Sequence, residues 1–399
     1  MFTDRQLQRY ADVLLWALET ARTGKIHKND VVALRYHRPA LPLAEILYAR
    51  LIQMGVHPVQ RQLETPGMEK SFYSLSNDRQ LKFVPPGEET LYRDLNGSIL
   101  LYAPESITHL SDVDPARIGK TTVARKFLRN ILDRREERGL FSWTLCLVPT
   151  EALAGHAGMS SEAYARQVVK ACFLNRRSPV EAWRQVYSDI QAIKRRLNRL
   201  KIDTLHVESE HIDLKIRVGE RRRWLGLSGH NIPSFEVFIT PDWRGTNGVF
   251  YADQPSFRSG NLVEKVRLEF QNGLLVDAQA ETGDSFLRQQ LSMDPGAGRI
   301  GEFSLTDRRF SRIDAFMANT LYDENYGGRY GNCHVAMGSS YSESFSGKSR
   351  DLDEPLKQNL GFNDSALHWD LVNTQNKRVT AILSSGKSRL IYEGGQFQI

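Results

Sequence analysis

The chain has 399 residues, 41% hydrophobic and 25% charged, with a net charge of +6, which is ordinary for a globular protein and enough for one large or two ordinary domains. No stretch approaches the roughly 18 uninterrupted apolar residues of a membrane span. Cys146, Cys172 and Cys333 are the only cysteines and form no CxxC pair, which excludes a disulfide framework and a thiolate zinc knuckle and points to a reducing cytoplasm.

Residues 4–21 space their apolar side chains near 3.6, carry acids and lack a small-residue cleavage site, so an amphipathic helix is expected there, not a signal peptide. Asn29–Tyr36 reads as a strand and Leu41–Met54 as a helix stopped by Gly55. Gly97–Tyr102 and Trp143–Val148 read as strands, and Ser161–Phe173 and Val180–Leu200 as helices. This alternation predicts a mostly parallel α/β domain over residues 1–200. From residue 201 the texture changes to short runs between Gly, Asn and Asp turns: HIDLKIRV, FEVFIT, GVFYA, VEKVRLEF and GLLVDAQA. Helical signal remains only near Ser285–Gln290 and Arg312–Leu321. A mixed, β-rich domain is expected over residues 201–399, so the fold class is α/β plus α+β.

Charge divides unevenly. Residues 1–201 hold 31 Lys and Arg against 21 Asp and Glu, and residues 202–399 hold 22 against 26. A basic half raises the alternative of a scaffold that binds nucleic acid. Its densest run, Lys194 to Arg199, closes a helix, where cations complement the dipole, so no nucleic-acid partner is expected. Two phosphate-loop lookalikes carry little. Gly119-Lys120-Thr121 has Asp114 where the phosphate-binding loop needs glycine. Gly296 to Gly301 matches GxGxxG but follows QQLSMDP, which is no strand, and reads as a glycine-rich turn.

The acidic half holds the chemistry. His334 and His368 are its histidines beyond residue 230. His368-Trp369-Asp370 puts an imidazole and a carboxylate on one face of a strand. His334 precedes small residues, Ala336 and Gly338, that would permit close backbone approach. Glu302 follows Gly301, Glu324 sits in Asp-Glu-Asn, and Glu236 is an acid inside an apolar strand, where it needs a partner such as a metal ion or an arginine. Oxygen and nitrogen donors without thiolates suit zinc, cobalt or manganese.

In order, the blocks NIPSFEVF, IGE, YDEN, HVAMGSSY and HWD resemble the pattern of the thermophilic-type metallo-aminopeptidases along the whole C-terminal half and, more loosely, the N-terminal half. The resemblance implies that Glu236, Glu302, Glu324, His334, His368 and Asp370 hold two divalent ions, zinc or cobalt foremost and manganese or magnesium otherwise. It implies removal of N-terminal residues from short peptides by a metal-activated water, with Tyr341 as oxyanion donor. The general base should be a carboxylate near that water, with Glu302 as the candidate. The resemblance also implies a homodimer. Two departures stand out. YGGRYGNC lengthens the loop between Asn325 and His334, and it either bulges outward or displaces Glu324. Phe235 replaces a residue that is commonly polar, which would alter the substrate pocket. The alternatives are a non-peptidase member of the same fold, or a non-haem iron oxygenase using His334, His368 and Asp370. No membrane partner is expected.

Overall fold

Thr3 caps the first helix, Asp4–Ala21, with its side chain accepting from the Gln6 N–H while the Gln6 side chain accepts from the Thr3 N–H, a reciprocal box that satisfies two orphan donors. The computed structural model describes residues 2–22, 24–348 and 351–399. The buried side of this helix, Tyr10, Val13, Leu14, Ala17 and Leu18, has the helical spacing read from the sequence. It lies on strand Ser142–Leu147, to which Tyr10 donates at the Leu147 carbonyl (3.0 Å).

The chain forms two compact units, one running to Trp183 and including Ser228–Pro233, the other comprising Arg184–Leu227 and Ser234–Ile399. The first is built on a five-stranded sheet in the order His57–Gln62, Val31–Tyr36, Leu95–Tyr102, Ser142–Leu147 and Asn231–Ile232. All its pairings are parallel, as expected where helices alternate with strands. The GKT lookalike lies inside helix Pro115–Glu137. A helical backbone has already committed the N–H groups that a phosphate loop would offer, so that motif is structural.

The second unit holds an eight-stranded sheet, from Leu274–Gln279 at one edge to Gln396–Phe397 at the other, with antiparallel pairings. A separate five-stranded sheet runs in the order His368–Asn373, Asn332–Gly338, Ile300–Thr306, Glu236–Ile239 and Leu225–Gly226, also antiparallel. Together the units bear out the expected parallel α/β part followed by a β-rich part.

The expected helix over Arg312–Leu321 is a correction. Only Thr320–Asp323 is helical. Ala318 takes a positive φ of 51°, and the buried Asp323 carboxylate accepts the N–H groups of Met317 (2.7 Å) and Asn319 (2.9 Å). Those backbone donors go to a side chain instead of to a helix. Among the described residues no helix is long and apolar enough to cross a membrane.

Candidate metal centre

Side chains alternate across a strand, and cross-strand partners share a face. His334 pairs with Ser304 on one side and Val372 on the other, while Ala336 pairs with Glu302 and Asp370, and Gly338 with His368. On the next strand Thr306 pairs with Glu236 and Ser304 with Phe238. This register sets Glu236, Glu302, His334, His368 and Asp370 on a single face of the five-stranded sheet. Gly301 is needed for it. A bulge lies between Ile300 and Glu302, and a side chain at 301 would collide with the carbonyls of Ser339 and Gly338.

The donors converge. His334 Nε2 lies 3.1 Å from Glu302 Oε1, 3.5 Å from Glu236 Oε2 and 3.8 Å from Asp370 Oδ1. Glu236, Glu302 and His334 each offer a ligand atom within 4.8 Å of the others. All three are buried. His368 Nε2 stands 3.5 Å from Asp370 Oδ1. Its Nδ1 lies 3.0 Å from the Ser339 carbonyl, which can only accept, so Nδ1 carries a hydrogen, and the ring on losing its second proton would turn an Nε2 lone pair toward the cluster.

Electrostatics shows what this face would attract. Burial, then the charge of Glu302, pushes the Glu236 carboxyl up to about 8 against the opposing pull of His334. Glu324 is raised by burial and by Glu236, Asp370 and Glu302. Burial alone would lower His334, but its hydrogen bond to Glu302 and the charges of Asp370 and Glu236 outweigh it and raise it to about 9. His368 reaches about 9 in the same way, mainly through Asp370. Burial would raise Asp370, yet His368, His334 and Arg258 bring it down to about 2. Four carboxylates thus face two imidazoles, and the surplus negative charge is relieved only by taking up protons or a cation. Buried oxygen and nitrogen donors in this proportion fit divalent ions.

Glu324 caps the short Thr320–Asp323 helix. The longer loop that follows closes on itself: Gly327 and Gly328 donate to the Ile313 carbonyl, and Gly331 donates to that of Gly327 (2.7 Å). Asn332 donates to the carbonyls of Glu324 (3.0 Å) and Tyr326 (2.7 Å), and Thr306 adds a bond to Glu324 (3.2 Å). Glu324 therefore stays buried, in the field of the other carboxylates.

Tyr341 follows the His334 strand. Its N–H donates to Thr240 Oγ1 (3.0 Å), and its hydroxyl lies 3.4 Å from His368 Nε2. Although 38% of the residue is accessible, burial of the phenol and the surrounding carboxylates raise its pKa and keep it a hydrogen-bond donor.

Several contributors carry no obvious mark in the sequence. Ser304 donates to Glu236 Oε2 (3.1 Å). Arg258 donates to the His368 carbonyl (2.9 Å) while lying over the Trp369 ring. Arg299 stacks on Trp243 at 3.9 Å, a packing role. The GxGxxG segment is a turn gathered by Asp294, which accepts from Gly296 (2.8 Å) and Ala297 (2.9 Å). Phe235 is fully buried and offers no surface to a substrate. The three cysteines are buried and form no disulfide among the described residues.

Comparison with known proteins gives concordant results. The profile of the family described as "Thermophilic metalloprotease (M29)" matches residues 3–397. Aminopeptidase AmpS of Bacillus subtilis is 31% identical over 244 residues, 58% of this chain and 58% of that protein. The chain thus spans less than two thirds of that relative's length. Aminopeptidase T of Thermus aquaticus is 28% identical over 309 residues, 73% of this chain and 74% of that protein. The solved structure of wild-type AmpT from Thermus thermophilus superposes with a TM-score of 0.80 over 99% of both chains at 20% identity, a likeness of fold.

Proposed function

The chain belongs to the thermophilic metalloprotease family M29, and from that premise we propose that it is an aminopeptidase whose metal ligands are Glu236, Glu302, Glu324, His334, His368 and Asp370. The observation that carries this reading is the single sheet face on which buried carboxylates outnumber imidazoles. The reading includes two divalent ions, zinc or cobalt foremost, short peptide substrates, and a homodimer in the cytoplasm. Three buried thiols outside any disulfide accord with a reducing compartment.

Divalent ions held there would supply Lewis-acid polarisation of the scissile carbonyl and acidification of the attacking water. The rest of the work falls to the chain. With two divalent ions the four carboxylates are balanced, and a free α-amine would be held there as a neutral lone-pair donor, which favours substrates with an exposed N-terminus over internal peptide bonds. Tyr341, kept protonated, donates its hydroxyl hydrogen to the developing oxyanion. Glu302 takes the proton of the attacking water and returns it to the leaving amine. Ser304 holds Glu236, and the Ser339 carbonyl holds His368, in the required orientations.

The test is hydrolysis of aminoacyl reporter substrates by protein with measured metal content. Glu302→Gln and His368→Ala are expected to abolish turnover while leaving the circular dichroism spectrum intact. Full activity in either folded variant would overturn the assignment.

A further inference from the structure

The strand that carries Glu236 buries Glu236, Val237 and Ile239 but leaves Phe238 half-exposed. Phe238 lies two residues beyond Glu236 and pairs with Ser304, so it shares the face of the acidic cluster. On its other side it pairs with Leu225, also half-exposed. The Tyr341 ring meets the Phe238 ring edge-to-face with centroids 5.6 Å apart, and Tyr341 itself is 38% accessible. An apolar flank made of Leu225, Phe238 and Tyr341 thus borders a face otherwise set with carboxylates and imidazoles. A large ring left partly open beside buried charge is surface available to a ligand.

Resting on the aminopeptidase reading above, we infer that Leu225 and Phe238, with the Tyr341 ring, form the subsite for the side chain of the substrate's N-terminal residue, and that this subsite selects bulky apolar side chains. The geometry follows from covalent connectivity. The carbonyl oxygen of the scissile bond is taken by the Tyr341 hydroxyl, and the α-amine by the metal-loaded cluster. The side chain branches from the carbon between those two groups, so it departs alongside Tyr341, where the Phe238 ring stands. Leucyl and phenylalanyl side chains exclude water from that ring on binding. An aspartyl side chain would be desolvated next to existing negative charge.

Metal-loaded protein assayed with alanyl, leucyl, phenylalanyl and aspartyl 4-nitroanilides tests this. The wild-type chain should show kcat/KM for leucyl and phenylalanyl substrates about tenfold or more above alanyl, with aspartyl lowest. Phe238→Ala should lower the leucyl-to-alanyl ratio by about tenfold with metal content retained. Phe238→Arg should raise aspartyl relative to leucyl turnover. Leu225→Ala should shift the leucyl-to-alanyl ratio in the same direction as Phe238→Ala, and it decides the matter with Phe238→Leu should the alanine variant not fold. Unchanged ratios in folded, metal-retaining variants overturn the subsite while leaving the aminopeptidase reading intact. Absence of wild-type turnover on every reporter overturns the aminopeptidase reading, and the subsite falls with it.

Discussion

Asn325 accepts the backbone N–H of Phe235 through its Oδ1 at 2.5 Å. The same amide donates through Nδ2 to the Leu321 carbonyl (3.0 Å) and, more weakly, toward Glu324 Oε1 (3.4 Å). One fully buried side chain thereby joins the segment before Glu236 to the turn that bears Glu324. Asn325→Ala removes both ties. Metal affinity should fall about 10- to 100-fold, the usual loss when an outer-shell partner of a ligand is removed, with the fold retained. Metal titration followed by mass analysis checks this, and wild-type affinity in the variant would refute the coupling.

Tyr341→Phe deletes only the hydroxyl. If that group donates to the oxyanion, kcat should drop about 10²- to 10³-fold with metal stoichiometry unchanged. Loss of metal would instead make Tyr341 a ligand or ligand support, and unaltered kcat would remove it from the mechanism.

Metal binding should be linked to pH. Without metal, His334 and His368 keep their protons up to about 9 and Glu236 up to about 8. A cation takes only the deprotonated forms, so protons compete with it below those values and cease to compete above them. Apparent affinity should therefore rise from about pH 7 to about pH 9, with protons released on binding. Calorimetry in buffers of different ionisation enthalpy measures that release, and an enthalpy independent of buffer would contradict it.

Ala336 lies in register between Glu302 and Asp370 and has no exposed surface. Ala336→Leu would drive an isobutyl group between these two proposed ligands. Overpacking should cost about 1–3 kcal/mol of stability and metal should be lost. Denaturant melts with and without metal would show the wild-type increment of stability on metal addition vanish in the variant. A variant that keeps the increment would mean that the space between those carboxylates is not where the ion sits.

Much of this was legible in the sequence, because period-2 and period-3.6 patterns report directly on which side faces the core. The helix from Asp4 and the strands ending at Tyr36 and Tyr102 stand where the patterns put them. The HWD spacing predicted a shared face, and the strand His368–Asn373 supplies it. Arg312–Leu321 misled because its apolar spacing is helical, while the buried Asp323 carboxylate, which captures the N–H groups of Met317 and Asn319, is a tertiary effect. Arg258 was invisible for a similar reason. It stands far from His368 in the chain and meets that carbonyl only through folding. Phe235 drew attention as an unusual neighbour of Glu236, yet strand alternation gives the accessible position to Phe238.

Because the donors are distributed over adjacent strands of one sheet, a slip of the His334 strand by a single residue would present Cys333 or Val335 to the face in its place. The donors on these strands therefore come together only after long-range pairing from Glu236 to Asp370 is complete. An ion arriving earlier finds scattered, weak donors, so metal cannot nucleate this sheet and acts afterwards as a lock on its finished register. Metal should accordingly leave the refolding rate nearly unchanged and slow unfolding, making this half of the chain kinetically persistent.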